Sequence, residues 1–147
     1  MKVSTKGRYG LRILLDVALH QGQGPVALRD VSRRQGISHK YLWQVVNPLK
    51  AAGLLNATRG ARGGYVLVRP PERITIQDIV RILEGPIAVV ACVADPESCD
   101  RAVSCVAREA WAEIESKLNA AMRAITLKDL IRRHQEKASR SGQSYVI

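Results

Sequence analysis

The sequence predicts a mainly α fold with a small β-wing: a winged helix-turn-helix followed by a long dimerisation helix. Three observations predict it. Residues 26–53, VALRDVSRRQGISHKYLWQVVNPLKAAG, read as helix, tight turn, helix. Residues 54–68 then read as two short apolar strands around the glycine-rich tip Arg59-Gly60-Ala61-Arg62-Gly63-Gly64. Further on, Ala107, Trp111, Ile114, Leu118, Ala121, Met122 and Ile125 recur at steps of three and four, the stripe of a long amphipathic helix.

The first helix of the unit lies in LRILLDVALH, with Leu11, Leu14, Leu15, Val17 and Ala18 on one side. Lys2, Lys6, Arg8 and Arg12 gather at its start, where phosphate contacts are expected. Residues 21–25 form a loop. The next helix runs to Arg34, and Gly36 and Ile37 make the turn. Ser38 is placed to cap the helix that follows, because its hydroxyl can accept from a free amide one turn in. That helix points Tyr41, Leu42, Val45, Val46, Leu49 and Ala52 inward. Ser38, His39, Lys40, Tyr41, Trp43 and Gln44 lie at its N-terminal end, where a recognition helix meets base edges in the major groove. Its outer face carries no negative charge. Strands over 54–58 and 65–68 form the wing, and Arg59 and Arg62 at its tip suit the negative potential of a narrow minor groove.

Charge divides the chain in two. Residues 1–70 hold twelve Lys or Arg against two Asp or Glu, a net +10, and residues 71–147 hold eleven of each, a net of zero. The whole excess sits with the helix-turn-helix and wing, as in a nucleic-acid-binding head on a neutral body. A membrane-surface role would put that charge on an amphipathic helix with spare apolar residues, and none is available. No stretch approaches a membrane span. The N-terminus lacks the clean apolar block and cleavage site of a signal peptide. The expected location is the cytoplasm. Phenylalanine is absent, so the core must be aliphatic.

The organisation expected is a winged helix-turn-helix over 1–85, a cysteine-bearing loop over 86–107, a dimerisation helix and short last helix over 108–136, and a disordered polar tail over 137–147. Thr75 with Asp78, and Thr126 with Asp129, mark helix starts. An apolar stripe as long as that of the dimerisation helix exceeds what one small domain needs, and a second copy would cover it.

Cys92, Cys99 and Cys105 are the three cysteines of the chain, spaced C-x6-C-x5-C. An odd number does not close into an intrachain disulfide framework, and a cytosolic setting disfavours disulfides. Three sulfurs plus a fourth ligand could hold zinc or an iron–sulfur cluster. A thiol redox switch and incidental thiols are the alternatives. An enzyme is not expected. A catalytic cysteine needs a positioned base, and His20, His39 and His134 lie far from the cysteine loop in sequence.

KGRYGLRILLDVAL, VSRRQGIS-x-x-YL, RGARGGYVL, the three cysteines and the ITLKDL ending together resemble the IscR/NsrR/RirA/CymR family of bacterial winged-helix regulators, over about residues 1–135. In N-terminus, wing and ending the likeness is greatest to its IscR-like members. The resemblance implies a homodimer on double-stranded DNA, and a 2Fe–2S or 4Fe–4S cluster on Cys92, Cys99 and Cys105 that senses iron–sulfur status, oxygen or nitric oxide. A cluster-free regulator of the cysteine-metabolism type, controlled by a protein partner or by thiol redox, is the alternative within the family. Three positions depart from the pattern. Arg108 stands where IscR-like members have a histidine ligand, Arg8 where NsrR-like members use an aspartate, and Trp43 where IscR-like members carry an acidic residue. Asp95, Glu97, Asp100 and Glu109 are then the local choices for a fourth ligand.

Overall fold

The computed structural model describes residues 2–143. Helix α1 spans Thr5–His20, capped by the Ser4 hydroxyl, which accepts from the Gly7 amide at 3.2 Å. A single 3-10 turn, Gln21–Gln23, leads to α2, Leu28–Gln35, which ends at Gly36 in the left-handed conformation (φ 65°). Recognition helix α3 is His39–Ala51. Strands β1, Leu55–Thr58, and β2, Gly64–Leu67, pair antiparallel with Leu55 opposite Leu67 and Thr58 opposite Gly64. Helix α4 is Ile76–Glu84, α5 the single turn Ala91–Ala94, α6 the long Val106–Ala124, and α7 Leu127–Gln143.

The core is built as the aliphatic periodicity requires. Ile13, Leu14 and Val17 of α1 meet Val31 of α2 and Leu42, Val45, Val46 and Leu49 of α3, all of them fully excluded from solvent. Leu54 and Leu55 of the wing, Ile74, Ile79 of α4 and Leu127 of α7 complete it. Helix α4 lays its Leu83 and Glu84 side chains directly on the glycine face of α1. A Cβ on Gly10 would fall inside the Leu83 side chain, and one on Gly7 would strike the Glu84 carboxylate. That carboxylate is already engaged, accepting from the Ser4 amide at 2.7 Å and the Ser4 hydroxyl at 2.6 Å.

The wing is held by a contact that strand periodicity does not announce. Val26 forms a two-way bridge with Tyr65, amide to carbonyl at 2.9 and 2.8 Å. Gln21 Oε1 accepts from the Leu67 amide at 2.9 Å. The loop before α2 therefore works as a short third strand, and Gly64 is needed there because a Cβ would collide with the Val26 carbonyl.

Both expected capping pairs form. Thr75 and Asp78 close a full capping box at the start of α4. Thr126 and Asp129 exchange the same bonds at 2.9–3.2 Å at the start of α7. The two starts are joined, since Ile76 donates to Ile125 at 3.0 Å and Leu127 to Ile74 at 2.8 Å.

The expectation of a disordered tail from residue 137 is corrected, because α7 continues to Gln143. Once Leu127 is buried and the first turn capped, each further residue adds a backbone bond at little entropic cost, so a polar sequence propagates a helix that it would not nucleate. Arg132 supports the extension through Asp129 at 3.4 Å and Glu136 at 3.9 Å. Residues 144–147 of the expected tail lie outside the described residues. Among the described residues no helix is long and apolar enough to cross a membrane.

Candidate nucleic-acid interface and cysteine loop

Helix α3 turns its apolar face into the core and leaves Ser38, His39, Lys40, Trp43, Gln44, Asn47 and Lys50 exposed. Ser38 is committed to the cap, its hydroxyl accepting from the Tyr41 amide at 3.2 Å. Tyr41 is half-buried, with its ring edge-on to Tyr9 of α1 at 5.6 Å, so it braces the helix as well as bordering the interface. Trp43 is 44 % exposed and stands edge-on between His39, at 6.3 Å, and Tyr65 of β2, at 6.4 Å. Burial pushes the Tyr65 phenol above its ordinary pKa.

An open groove of about 350 Å³ separates α3 from the wing, bordered by His39 and Trp43 on one side and Ala61, Gly63 and Tyr65 on the other, with Arg29 of α2 at its end. Arg59 and Arg62 are exposed at the wing tip. Gly60 turns the chain there with φ 115°, and the Gly63 amide donates back to the Gly60 carbonyl at 3.0 Å. The groove's border thus holds Arg29 and no acid, with the exposed Arg59 and Arg62 at the wing tip beyond it.

The turn between α2 and α3 is set by an ion pair that the sequence reading did not find. Asp16 of α1 is 2 % exposed and accepts two bonds from Arg34, at 2.6 Å from Nη2 and 3.0 Å from Nε, and one from Gln35 Nε2 at 2.8 Å. Burial by itself would raise the Asp16 carboxyl. The Arg34 and Gln35 bonds and the Arg34 charge outweigh it and hold the carboxyl below its ordinary range. Arg12 donates to the Gln35 carbonyl at 2.6 Å and to Gln35 Oε1 at 3.1 Å, and lies over the Tyr9 ring. The expectation that Arg12 serves phosphate is revised accordingly, for its guanidinium holds the end of α2. The available signal was Asp16 itself, a carboxylate among Leu14, Leu15, Val17 and Ala18, which demands a buried partner.

The cysteine loop is more structured than expected, with α5 and a 3-10 turn at Pro96–Ser98. All three cysteines are free, Cys92 and Cys105 half-buried and Cys99 exposed. Arg108 ties the first to the third. Its Nε donates to the Cys92 carbonyl at 2.8 Å and its amide to Cys105 Sγ at 3.4 Å, while Cys105 caps α6. An iron–sulfur cluster needs its ligand atoms converging on one centre. Among the described residues no three His, Cys, Asp or Glu side chains gather to hold a metal ion. Arginine at 108 supplies no ligand. Asp95 Oδ1 accepts from the Glu97 amide at 3.1 Å, and Glu109 points into solvent from α6. In this arrangement the three cysteines and a fourth ligand are not gathered on one centre.

Comparison with known proteins accounts for the architecture. Residues 3–133 match the model of the Rrf2 family, described as iron-dependent transcriptional regulators. The regulator CymR of Bacillus subtilis is 43 % identical over 130 residues, covering 88 % of this chain and 89 % of that one. IscR of Aliivibrio salmonicida is 36 % identical over 131 residues, covering 89 % and 77 %. The greater likeness expected to IscR-like members is not reflected in these identities. Among solved structures, that of the B. subtilis global cysteine regulator CymR superposes with a TM-score of 0.77 at 41 % identity, over 90 % of this chain and 98 % of that one. The T. potens IscR structure does so at 0.76 and 36 %, over 93 % and 90 %. With a winged-helix head, the family model matched over residues 3–133 and relatives named as transcriptional regulators, the chain belongs to the Rrf2 family of DNA-binding transcription regulators and is not an enzyme.

Proposed function

We propose that the chain is a homodimeric, cytoplasmic operator-binding regulator of the cluster-free type, whose two heads are joined through α6 and whose state is set at the cysteine loop by a protein partner or by thiol chemistry. The observation that carries the operator reading is the acid-free exposed face of α3 opening on the groove beside the arginine-tipped wing. His39, Lys40, Trp43 and Gln44 face the major groove in this reading, Arg59 and Arg62 enter the adjoining minor groove, and Ser38 and Tyr41 hold the helix in register. The dimer is supported by α6, which contains no buried residue and exposes Trp111 and Ile114 at 43 % and 47 %. A second copy would pair the heads at a spacing matched to two half-sites. Arg59→Ala is expected to weaken operator binding by about 1–3 kcal/mol at fixed salt. An unchanged affinity in a gel-shift titration would remove the wing from the interface.

A cluster sensor is the second reading. Three free cysteines in one short segment favour it, as do relatives named IscR. Native mass spectrometry of protein purified without oxygen separates the two. The cluster-free reading expects a bare dimer. A dimer carrying iron and sulfide, lost in Cys92→Ala, would establish a cluster and count its irons.

A further inference from the structure

We propose that the cavity between α4 and α6 binds a small organic dianion, a dicarboxylate or a phosphomonoester. Its volume is about 340 Å³, within the range of small-molecule sites. Arg81 of α4 and Arg123 of α6 border it from opposite sides, with Ser116 and Asn119 of α6 and Gln77 of α4 between them and Ile87 as an apolar wall. Neither guanidinium has a hydrogen-bond or ion-pair partner among the described residues.

The acids within reach are committed elsewhere. Asp78 accepts from the Thr75 amide and hydroxyl, Glu84 from Ser4, and Glu115 from the Val89 amide at 3.0 Å. Two like charges facing one cavity repel unless an anion lies between them, and paired guanidinium forks match carboxylate and phosphate oxygens. No acidic side chain borders the cavity, so an ammonium-bearing ligand finds no counter-charge there.

The polar floor is already ordered. Gln77 is 8 % exposed and donates through Nε2 to Asn119 Oδ1 at 2.7 Å, and Asn119 donates to the Glu115 carbonyl at 3.0 Å. That chain fixes the α4–α6 spacing and leaves the Ser116 hydroxyl to donate to a ligand. Ser116, Asn119 and Arg123 follow one another at steps of three and four, on the side of α6 turned away from Trp111 and Ile114. Covering the apolar stripe with a second copy therefore leaves the cavity open.

Succinate and glycerol 3-phosphate, titrated calorimetrically into the full chain at constant ionic strength and without DNA, test the site independently of the operator reading. At least one is expected to bind saturably, with affinity reduced roughly tenfold or more in Arg81→Gln and in Arg123→Gln and unchanged in the wing variant Arg59→Ala/Arg62→Ala. In the wild type, the side-chain amide signals of Gln77 and Asn119 should shift on addition of the probe. No saturable binding of either probe, equal binding by the two cavity variants, or loss in the wing variant alone would each overturn the proposal.

Discussion

The winged-helix head and helix α6 carry apolar stripes of comparable clarity, and the two stripes have different fates. In the head, Ile13, Leu14, Leu42, Val45 and Leu49 are sealed inside one chain. In α6, nothing is buried, and Trp111, Ile114 and Val106 face outward. The same periodicity thus serves two purposes, one satisfied by the fold and one left for another surface. The difference teaches that a stripe states how much apolar area a helix offers but not which molecule covers it.

Substitutions can break or sharpen that contrast. The largest effect is expected from Leu42→Ala, which empties a fully buried site in α3 and should cost about 2–5 kcal/mol in chemical denaturation. Asp16→Asn comes next. It leaves Arg34 without its anion, but the Arg34 side chain is 28 % exposed, so water recovers part of the loss and about 1–3 kcal/mol is expected. The sign with pH follows from the depressed Asp16 carboxyl. Its contribution is complete above the ordinary value of 3.8 and disappears as the pH falls through the lower folded value. Wild type and Asp16→Asn should therefore differ by a constant amount at neutral pH and converge in acid below about pH 4. Parallel curves down to pH 2 would show that the ion pair adds nothing beyond shape. The smallest effect on the head is expected from Ile114→Glu, within about 0.5 kcal/mol in head unfolding, while sedimentation is expected to show the proposed dimer falling to monomer. If Ile114→Glu melted the head as Leu42→Ala does, the two regions would not be separate in the way their burial indicates.

Features written in short-range pattern were legible beforehand. The stripes of α1, α3 and α6, the turn at Gly36, the glycine-rich wing and the two threonine–aspartate caps are all decided within one or two helical turns. Features that join distant parts of the chain were not. Nothing near Val26 marks it as the partner of Tyr65, and nothing in the basic run Arg33-Arg34 says that one arginine enters a buried pair 18 residues upstream while its neighbour meets Asp30 on the surface. The exposure of His39, Lys40, Trp43 and Gln44 on α3 followed from helical spacing, but the half-buried setting of Tyr41 and the edge-on seat of Trp43 against Tyr65 depend on how α1 and the wing pack against that helix. In the cysteine loop the spacing was plain and the geometry was not, since it turns on where the long Arg108 side chain finds its acceptor.

The missing side chains at Gly7 and Gly10 have a mechanical consequence. At the crossing the side chains of Leu83 and Glu84 lie directly on the bare backbone of α1, with no α1 side chain between them. Close-packed contacts of this kind have little compliance. A side chain added at Gly7 or Gly10 would therefore have to lift α4 off α1 or displace Leu83 and Glu84, so the separation of these two helices is set by the absence of two β-carbons.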